Sequence, residues 1–289
     1  MALKDRIESA LKTAIDDALL SPSAPPLLGQ ALRHAVFPGG ARVRPMLCLA
    51  VARACGEDRP SLVDAAASAV ELLHCASLVH DDLPCFDNAN VRRGKPSVHA
   101  VYGEPLALLA GDALIVLAFE RLAVAGEAEP RRLAALIQAV ARGVGAPCGI
   151  VAGQAWESET SAPVDLYHQA KTGALFIAAT TSGAIAAGAD SAPWRRLGET
   201  LGAAYQVADD LLDAVQGEAC DKPVGQDALH RRPSAVAECG VAGALSKLNA
   251  LVEQAVEAVP ACEGAQEMRD LVRMTAMRLA PKQLARTAA

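Results

Sequence analysis

The sequence predicts an all-α fold, because segments with helical periodicity recur along the chain while alternating strand patterns are almost absent. Alanine and leucine, both strong helix formers, dominate these segments. Hydrophobic residues make up 52% of the 289 residues and charged residues 21%, a balance typical of a well-packed globular protein. No linker rich in Pro, Gly or Ser divides the chain, so residues 1–289 are expected to form a single domain.

The first predicted helices are short and amphipathic. Residues 3–20 have one apolar face, formed by residues four positions apart. These residues are Leu3, Ile7, Leu11, Ile15 and Leu19. A second helix is predicted at 26–36, before a Pro-Gly-Gly turn, and a third begins near Arg44, with Pro in its first turn.

The remaining predicted helices are more apolar. Residues 61–83 form a long helix that begins at Ser61 and ends against Pro84. Further helices are predicted at 105–125, 130–143, 147–159, 165–188, 194–215, 241–258 and 265–279. Most of them are apolar on more than one face, so they are expected to pack as the inner and outer helices of a bundle around a central cavity.

The composition excludes several classes of protein. The formal net charge is −6, from 33 acidic and 27 basic residues, and there are only four Phe, three Tyr and two Trp. Because no basic patch is interleaved with aromatic residues, nucleic acid is not an expected partner. The longest uncharged stretch, residues 172–189, has about the minimum length of a membrane span. It contains Gly, Ser and Thr, and a buried core helix is the favoured interpretation.

Neither a secretion signal nor a disulfide framework is predicted. The first 20 residues carry Asp and Glu and lack the apolar region of a signal peptide. The eight cysteines form no C-x-x-C pair and no Cys/His cluster with zinc spacing. We therefore expect reduced, mostly buried thiols in a cytoplasmic protein without a membrane span.

Two aspartate clusters carry the predicted chemistry, and the second is the simpler. Asp209, Asp210 and Asp213 lie within one predicted helix, where residues 209 and 213 are one turn apart and repel each other. Apolar residues flank them on the same helix. Three carboxylates in such surroundings need a cation, and hard oxygen ligands suit Mg²⁺, which usually bridges to the phosphates of a substrate.

The first cluster consists of Asp81, Asp82 and Asp87. Asp81 and Asp82 lie at the carboxyl end of a helix, where the helix dipole disfavours an anion. A solvated acidic turn would explain either cluster alone about as well as a metal site. Two such clusters, each flanked by apolar helix and accompanied by basic residues, favour the metal.

Basic residues follow both the first cluster and the glycine turn. Arg92 and Arg93 come within two turns of the first cluster, and Arg44 follows the pair Gly39-Gly40. Arginine binds phosphate with two parallel hydrogen bonds, and paired glycines allow backbone amides to approach the same anion. Carboxylates that bind metal, together with arginines, predict a site for two polyanionic substrates.

Three stretches carry a resemblance to a known family. They are LVHDDLPCFDNANVRRGKPS, YQVADDLLD and PGGARVRP. They resemble the trans-isoprenyl diphosphate synthase (polyprenyl synthetase) family, in the right order and over about residues 26–280. The four residues between the aspartates of the first cluster match the spacing in the bacterial and geranylgeranyl-type branches. The resemblance implies an isoprenoid-synthase helical bundle, commonly a homodimer, that condenses isopentenyl diphosphate with allylic diphosphates.

The resemblance also implies a role for each motif residue. Asp81, Asp82 and Asp87 would hold two Mg²⁺ ions against the allylic diphosphate, and Asp209 would hold a third, supported by Asp210 and Asp213. Arg92 would contact the allylic diphosphate. The isopentenyl diphosphate would be bound by Arg44, His74 and Arg93. A histidine on an apolar helix is ordinarily part of the core. His74, however, lies two helical turns before Asp81 on the same face, which favours a functional role.

Other implied positions line the allylic site. Lys171, Thr172 and Gln206 match family positions there, and Lys222 matches a lysine that reaches the diphosphate. Gln154, in the Gly153-Gln154 motif, would face the central cavity. Lys171 and Thr172 could instead mark a helix kink or a solvated lysine with no role in the reaction. Gln206 could be a buried amide that caps a neighbouring group.

Product length is predicted from the residues just before the first cluster. Positions five and four before Asp81 are Ala76 and Ser77, both small. A bulky aromatic residue here stops growth at fifteen carbons in the family, so two small residues favour geranylgeranyl diphosphate (C20) over farnesyl diphosphate (C15). Either residue is also explained by helix packing, with another helix closing the tunnel. Carotenoid supply is the pathway expected of a C20 product.

The sequence departs from the family pattern at a few positions. Ala41 replaces a lysine of the glycine turn, and the adjacent Arg42 is expected to point elsewhere. Asp221 replaces a glycine, Arg232 replaces a second lysine and can still bind phosphate, and Glu157 replaces an aspartate. These changes leave open a weakly active subunit that modulates a partner synthase. A terpene cyclase and a metal-binding protein without enzymatic activity are further alternatives, although the cyclase would not need Arg44, His74 and Arg93.

Overall fold

The computed structural model describes residues 2–37, 39–161, 163–216 and 234–279. The helices are α1 Leu3–Ala18, α2 Pro26–Val36, α3 Val43–Ala54, α4 Pro60–Asp81, α5 Val98–Tyr102, α6 Glu104–Gly126, α7 Pro130–Val144, α8 Ile150–Trp156, α9 Val164–His168, α10 Ala174–Ala186, α11 Ala192–Gln216, α12 Ala235–Glu257 and α13 Ala265–Leu279. A π-helical turn, Gln169–Gly173, joins α9 to α10. The prediction of an all-α fold is confirmed.

Helix α4 lies at the centre of the bundle. It packs against α6, α3, α10 and α1, and apart from its two ends most of its residues are buried. Its many alanines allow these neighbours to approach closely on several sides. Because α4 ends at Asp81, this core helix fixes the position of the first aspartate cluster.

The turn between α2 and α3 is held by a buried arginine. Arg42 has a left-handed backbone (φ 52°) and is 2% exposed. Its guanidinium donates to Glu8 Oε1 at 2.8 Å, to Glu71 Oε1 at 2.7 Å and to the carbonyl of Val36 at 2.8 Å. Arg42 therefore ties together α1, α2, α3 and α4, and its guanidinium is held by these internal partners.

The paired glycines of this turn make room for two guanidinium groups. A Cβ on Gly39 would lie 1.9 Å from Arg42 Cζ, and one on Gly40 would lie 2.6 Å from Arg93 Cζ. The sequence predicts that these glycines let backbone amides approach an anion. The structure gives a different reason, since here they admit arginine side chains.

A short β-hairpin follows the first cluster and was not predicted. Strands β1 (Val91–Arg92) and β2 (Lys95–Pro96) pair antiparallel, with Arg92 opposite Lys95. The two residues of the turn, Arg93 and Gly94, have φ values of 55° and 73°. Two consecutive positive φ values are typical of the tight turns that suit the twist of a hairpin.

Three of the predicted helices need correction. The helix predicted at 165–188 is divided into α9, the π-helical turn Gln169–Gly173 and α10. The helix predicted at 147–159 is shorter, because α8 spans only Ile150–Trp156. The helix predicted at 241–258 lies within α12, which begins earlier and is interrupted at Gly240 (φ 71°). Glycine allows this left-handed backbone without strain.

Two helices of the described residues are long and apolar enough to cross a membrane by length and composition alone, namely α4 and α12. In α4, 78% of the apolar window is buried, as in the core helix of a bundle. In α12 only 17% of the window is buried, but its exposed positions include Glu238, Lys247 and Glu253. Charged side chains on an exposed face are typical of a helix in contact with water.

Candidate active site

The chain after α4 folds back onto the end of the helix and gathers the first aspartate cluster. The backbone amide of Asp87 donates to the carbonyl of Asp81 at 2.9 Å, and that of Ala89 donates to the carbonyl of Asp82 at 3.1 Å. These bonds satisfy carbonyl groups that the end of a helix leaves unpaired. They also return Asp87 to the neighbourhood of Asp81.

Asp81 and Asp82 lie in different surroundings. The Arg92 guanidinium binds Asp82 Oδ1 through Nε at 2.8 Å and also through Nη2. Among the described residues, Asp81 Oδ1 is buried and accepts no hydrogen bond, and the nearest cations are Lys171 Nζ, 3.8 Å from Oδ1, and Arg92 Nη2, 3.6 Å from Oδ2. Burial, reinforced by the charge of Asp87, raises the pKa of Asp81.

The π-helical turn connects the first cluster to the second. Lys171 binds Glu157 and approaches Asp81, whereas the next residue, Thr172, donates to Gln206 Oε1 at 2.6 Å. Gln206 Nε2 in turn donates to Asp210 Oδ1 at 2.9 Å. One five-residue turn therefore lies between the two aspartate clusters, as is common for π-helical segments at functional sites.

Asp210 also holds the beginning of α12. Its Oδ2 accepts the backbone N–H of Ala235 at 2.7 Å, and the side chain is 3% exposed. Each oxygen of the Asp210 carboxylate thus accepts a hydrogen bond from the protein. Asp210 positions Gln206, whereas its neighbours Asp209 and Asp213 are half-buried on the same helix.

Replacing Asp210 with asparagine tests this role. An amide has one acceptor oxygen, so Asp210→Asn would leave either Gln206 Nε2 or the Ala235 N–H facing an NH₂ group. We expect the free energy of unfolding in urea to fall by about 1–3 kcal/mol, which is the cost of a buried donor without a partner. Asp209→Asn is the matched control, with a loss below about 0.5 kcal/mol. Equal losses in the two variants would contradict the positioning role.

Three of the predicted substrate-binding residues meet at His74 of α4, two helical turns before Asp81. Arg44 Nη1 and Arg93 Nη2 each lie 3.4 Å from His74 Nε2. The Arg44 guanidinium packs 4.6 Å from the ring centre of Phe176 and 5.3 Å from that of Tyr205, and its buried Nε has no partner in the part of the chain that the structure describes. The two aromatic rings hold the Arg44 guanidinium in place, and its Nε–H remains able to donate to a ligand.

His74 is held neutral by its neighbours. Burial and then the charges of Arg44 and Arg93 lower its pKa well below the usual value of 6.5. A neutral imidazole accepts hydrogen bonds at Nε2, which a protonated ring cannot do. A neutral His74 therefore adds no positive charge to the site and offers Nε2 as an acceptor to the two arginines.

This depressed pKa predicts a pH-dependent stability. The unfolded chain binds a proton at His74 as pH falls through 6.5, and the folded chain does not, so acid favours unfolding. His74→Gln keeps an acceptor for both arginines and removes the titration. Between pH 7.5 and 5.5, urea unfolding of the unmodified protein should lose stability relative to the variant, by at most about 1.4 kcal/mol per pH unit. Parallel pH profiles would contradict this account.

An apolar cavity of about 580 Å³ begins at Asp81 and runs between α4, α6, α7 and α8. Its lining includes Leu73, Ala76, Ser77, Ile115, Phe119, Val144, Ile150 and Gln154. The volume is that of a small-molecule site, and its apolar walls suit a hydrocarbon chain. A carboxylate cluster at one end and apolar walls beyond it fit a ligand with an anionic head and an apolar tail.

Comparisons with known proteins agree with this arrangement. The polyprenyl synthetase family model matches residues 25–271. The chain is 54% identical to a geranylgeranyl diphosphate synthase of Cereibacter sphaeroides over 99% of both chains, and 52% identical to one of Rhodobacter capsulatus over 96% of both. The chain belongs to the polyprenyl synthetase family. Members of this family condense isopentenyl diphosphate with allylic diphosphates, and the chain is a prenyltransferase enzyme.

A solved structure shares the polyprenyl synthetase fold. A geranyltransferase from Helicobacter pylori, complexed with magnesium and isoprenyl diphosphate, superimposes with a TM-score of 0.83 at 29% identity, over 96% of both chains. The similarity extends over nearly all of the helical bundle. The predicted isoprenoid-synthase fold is therefore confirmed.

The residues present fit a hard divalent cation, although they do not form a complete cage. Among the described residues, no three His, Cys, Asp or Glu side chains lie close enough to hold a metal by themselves. Asp81 nevertheless has a buried oxygen without a hydrogen bond, and the candidate ligands are all carboxylates. Mg²⁺ takes only one or two carboxylates when substrate phosphates and water supply the other oxygens, so an incomplete cage is consistent with it.

Two predicted residues, Lys222 and Arg232, lie outside the described residues. Conversely, the structure reveals functional neighbours that sequence reasoning did not find. Tyr167 donates to Glu157 Oε1 at 2.7 Å and thereby orients the partner of Lys171. A Cβ on Gly153 would lie 2.4 Å from Lys171 Cα, so this glycine allows α8 to pack against the π-helical turn. Only the Gly-Gln motif hinted at that contact.

Proposed function

We propose that this protein elongates allylic diphosphates with isopentenyl diphosphate to geranylgeranyl diphosphate (C20). The observation that carries the proposal is the apolar cavity that begins at Asp81, because its first turn on α4 is lined by the small residues Ala76 and Ser77. On this side of the cavity a growing chain passes two small side chains of α4, while His80 and Phe86 border the cavity close to Asp81. Relatives named geranylgeranyl diphosphate synthases support this product.

The roles of the acidic and basic residues follow from their surroundings. Asp81, Asp82, Asp87, Asp209 and Asp213 would hold three Mg²⁺ ions, which would neutralise negative charge on the allylic diphosphate. Arg92 and Lys171 already lie beside the first cluster and donate to the same diphosphate. We expect Arg92 to exchange part of its contact with Asp82 for phosphate oxygens. Lys222 and Arg232 keep their predicted role in binding phosphate.

The remaining residues orient the reactants and stabilise the cation. Arg44, Arg93 and neutral His74 hold the isopentenyl diphosphate with its double bond towards the allylic carbon. The dipoles of Thr172 and Gln206, fixed by Asp210, face the developing carbocation. The apolar walls of the cavity exclude water, which would otherwise trap the cation as an alcohol. The released pyrophosphate accepts the proton that is lost after the new bond forms.

One assay tests the function. Purified protein with Mg²⁺ receives labelled isopentenyl diphosphate and each allylic primer in turn, and the products are separated by chromatography. We expect a labelled C20 chain. A C15 end point would favour a farnesyl diphosphate synthase, a cyclic hydrocarbon would favour a terpene cyclase, and no elongation from any primer would favour a subunit that modulates a partner synthase.

We further propose that the chain acts as a cytoplasmic homodimer, a single domain over residues 1–289 without a membrane span or a nucleic-acid partner. One face of α6 supports the dimer, since Leu108, Leu109, Val116 and Val124 are exposed on it at 49–66%. An apolar helix face of this kind is typical of a protein interface. Light scattering should give twice the mass of 29.8 kDa. Supply of a carotenoid pathway remains the expected use of a C20 product.

A further inference from the structure

A second cavity lies beside the group formed by Arg44, His74 and Arg93. It has a volume of about 430 Å³ and shares Arg93 with that group. Its lining combines the glycine turn with the β-hairpin, so that the methyl group of Ala41 and the side chain of Lys95 border the same space. Lys95 is not among the residues proposed above to bind isopentenyl diphosphate.

The hairpin places Lys95 on the side of the active site. Arg92 and Lys95 are directly opposite each other in the antiparallel pair, and such residues project from the same face. Arg92 binds Asp82, so that face is turned towards the first cluster. His34 Nε2 lies 2.8 Å from the carbonyl oxygen of Pro96 and fixes the hairpin against α2.

Two polar groups of this cavity have no partner among the described residues. Ser97 is 2% exposed, its Oγ makes no hydrogen bond, and it does not cap α5 although it precedes that helix. Lys95 is exposed and, within the described residues, forms no ion pair. Buried hydroxyl groups are nearly always hydrogen-bonded, so the unpaired Ser97 points to a ligand with polar atoms.

We propose that Lys95 binds the diphosphate of the isopentenyl substrate, with Ser97 as a hydrogen-bond donor, across the space that the small side chain of Ala41 leaves open. The neighbouring cations have other tasks, because Arg42 is buried against Glu8 and Glu71 and Arg92 binds Asp82. Lysine suits this role, since its long stem reaches a phosphate from an exposed strand. The inference rests on the proposed function.

Steady-state kinetics of Lys95→Ala test the inference. We expect the KM for isopentenyl diphosphate to rise about tenfold, because one charge-assisted contact to phosphate is lost, while kcat and the KM for the allylic primer stay within about twofold. Lys95→Arg keeps the charge and should remain near the unmodified value. Lys4→Ala, which removes an exposed lysine on α1, is the matched control. Equal rises in both KM values would overturn the inference, since they would indicate a disturbed hairpin.

A second substitution tests whether a lysine at position 41 can replace Lys95 in binding isopentenyl diphosphate. Ala41→Lys in the Lys95→Ala background should restore the KM for isopentenyl diphosphate to within about threefold of the unmodified value. Ala41→Lys alone should lower it little, since Lys95 already supplies the charge. A tenfold gain from Ala41→Lys alone, or no rescue, would overturn the shared role.

Binding without turnover separates this inference from the proposed function. Titration calorimetry with isopentenyl diphosphate should show weaker binding to Lys95→Ala than to the unmodified protein by the same factor. If the unmodified protein binds this diphosphate but elongates no primer, the proposed function fails while the inference stands. If the unmodified protein elongates primers and Lys95→Ala leaves both binding and KM unchanged, the inference alone fails.

Discussion

Asp81→Asn is expected to lower the rate of elongation at least about a thousandfold without weakening the fold. Asp81 sits where the core helix α4 meets the first cluster, with one buried oxygen that accepts no hydrogen bond. Its raised pKa, caused mainly by burial, shows that the folded chain disfavours the charged form. We therefore expect this charge to serve binding and catalysis at the expense of stability.

The sign of the stability change makes this prediction specific. Removing a charge that the fold disfavours should leave the free energy of unfolding in urea unchanged or raise it by about 1 kcal/mol at pH 7. Asp5→Asn, the same chemical change on an exposed residue of α1, should alter the rate by less than about twofold. A large loss of stability in Asp81→Asn would mean that the carboxylate holds the fold together, and retained elongation would remove Asp81 from the reaction.

The sequence predicted those parts of the fold that depend on local pattern. Helices α1 to α4 and α6 follow from apolar periodicity, and Asp81 and Asp82 lie at the carboxyl end of α4 as expected. The β-hairpin was missed because two strands of two residues are too short for a period of two to be visible. The π-helical turn was also missed, since its register depends on the helices packed around it.

The parts of the site that were not predicted depend on contacts between residues distant in sequence. The pattern around Arg42 does not identify Glu8 and Glu71 as its partners, which are 34 and 29 residues away. The position of Asp210 within a cluster likewise gives no sign that it binds the backbone of Ala235. The motifs thus predict which residue types meet a diphosphate. Which of the neighbouring carboxylates holds other protein groups in place can be seen only in the structure.

Product length should change in opposite directions at the two ends of the apolar cavity. Helices α4 and α6 run antiparallel, because His80 near the end of α4 lies 3.3 Å from the carbonyl oxygen of Leu108 near the start of α6. Ser77 is one turn from Asp81, about 6 Å along the axis, whereas Phe119 lies eleven residues beyond Leu108 on α6, about 16 Å further along that helix. Ser77 therefore borders the early part of a growing chain and Phe119 a later part.

Ser77→Phe should end growth at C15, because the aromatic ring occupies the space beside the carboxylates. Phe119→Ala should allow products beyond C20, because it removes a wall further along the cavity. Chromatography of the dephosphorylated products measures both changes, and Ser61→Phe, on the exposed first turn of α4, is the matched control and should leave the distribution unchanged. If Ser77→Phe still made C20, the growing chain would follow another path. If Phe119→Ala left the product at C20 while Ser77→Phe shortened it, a different residue would close the far end.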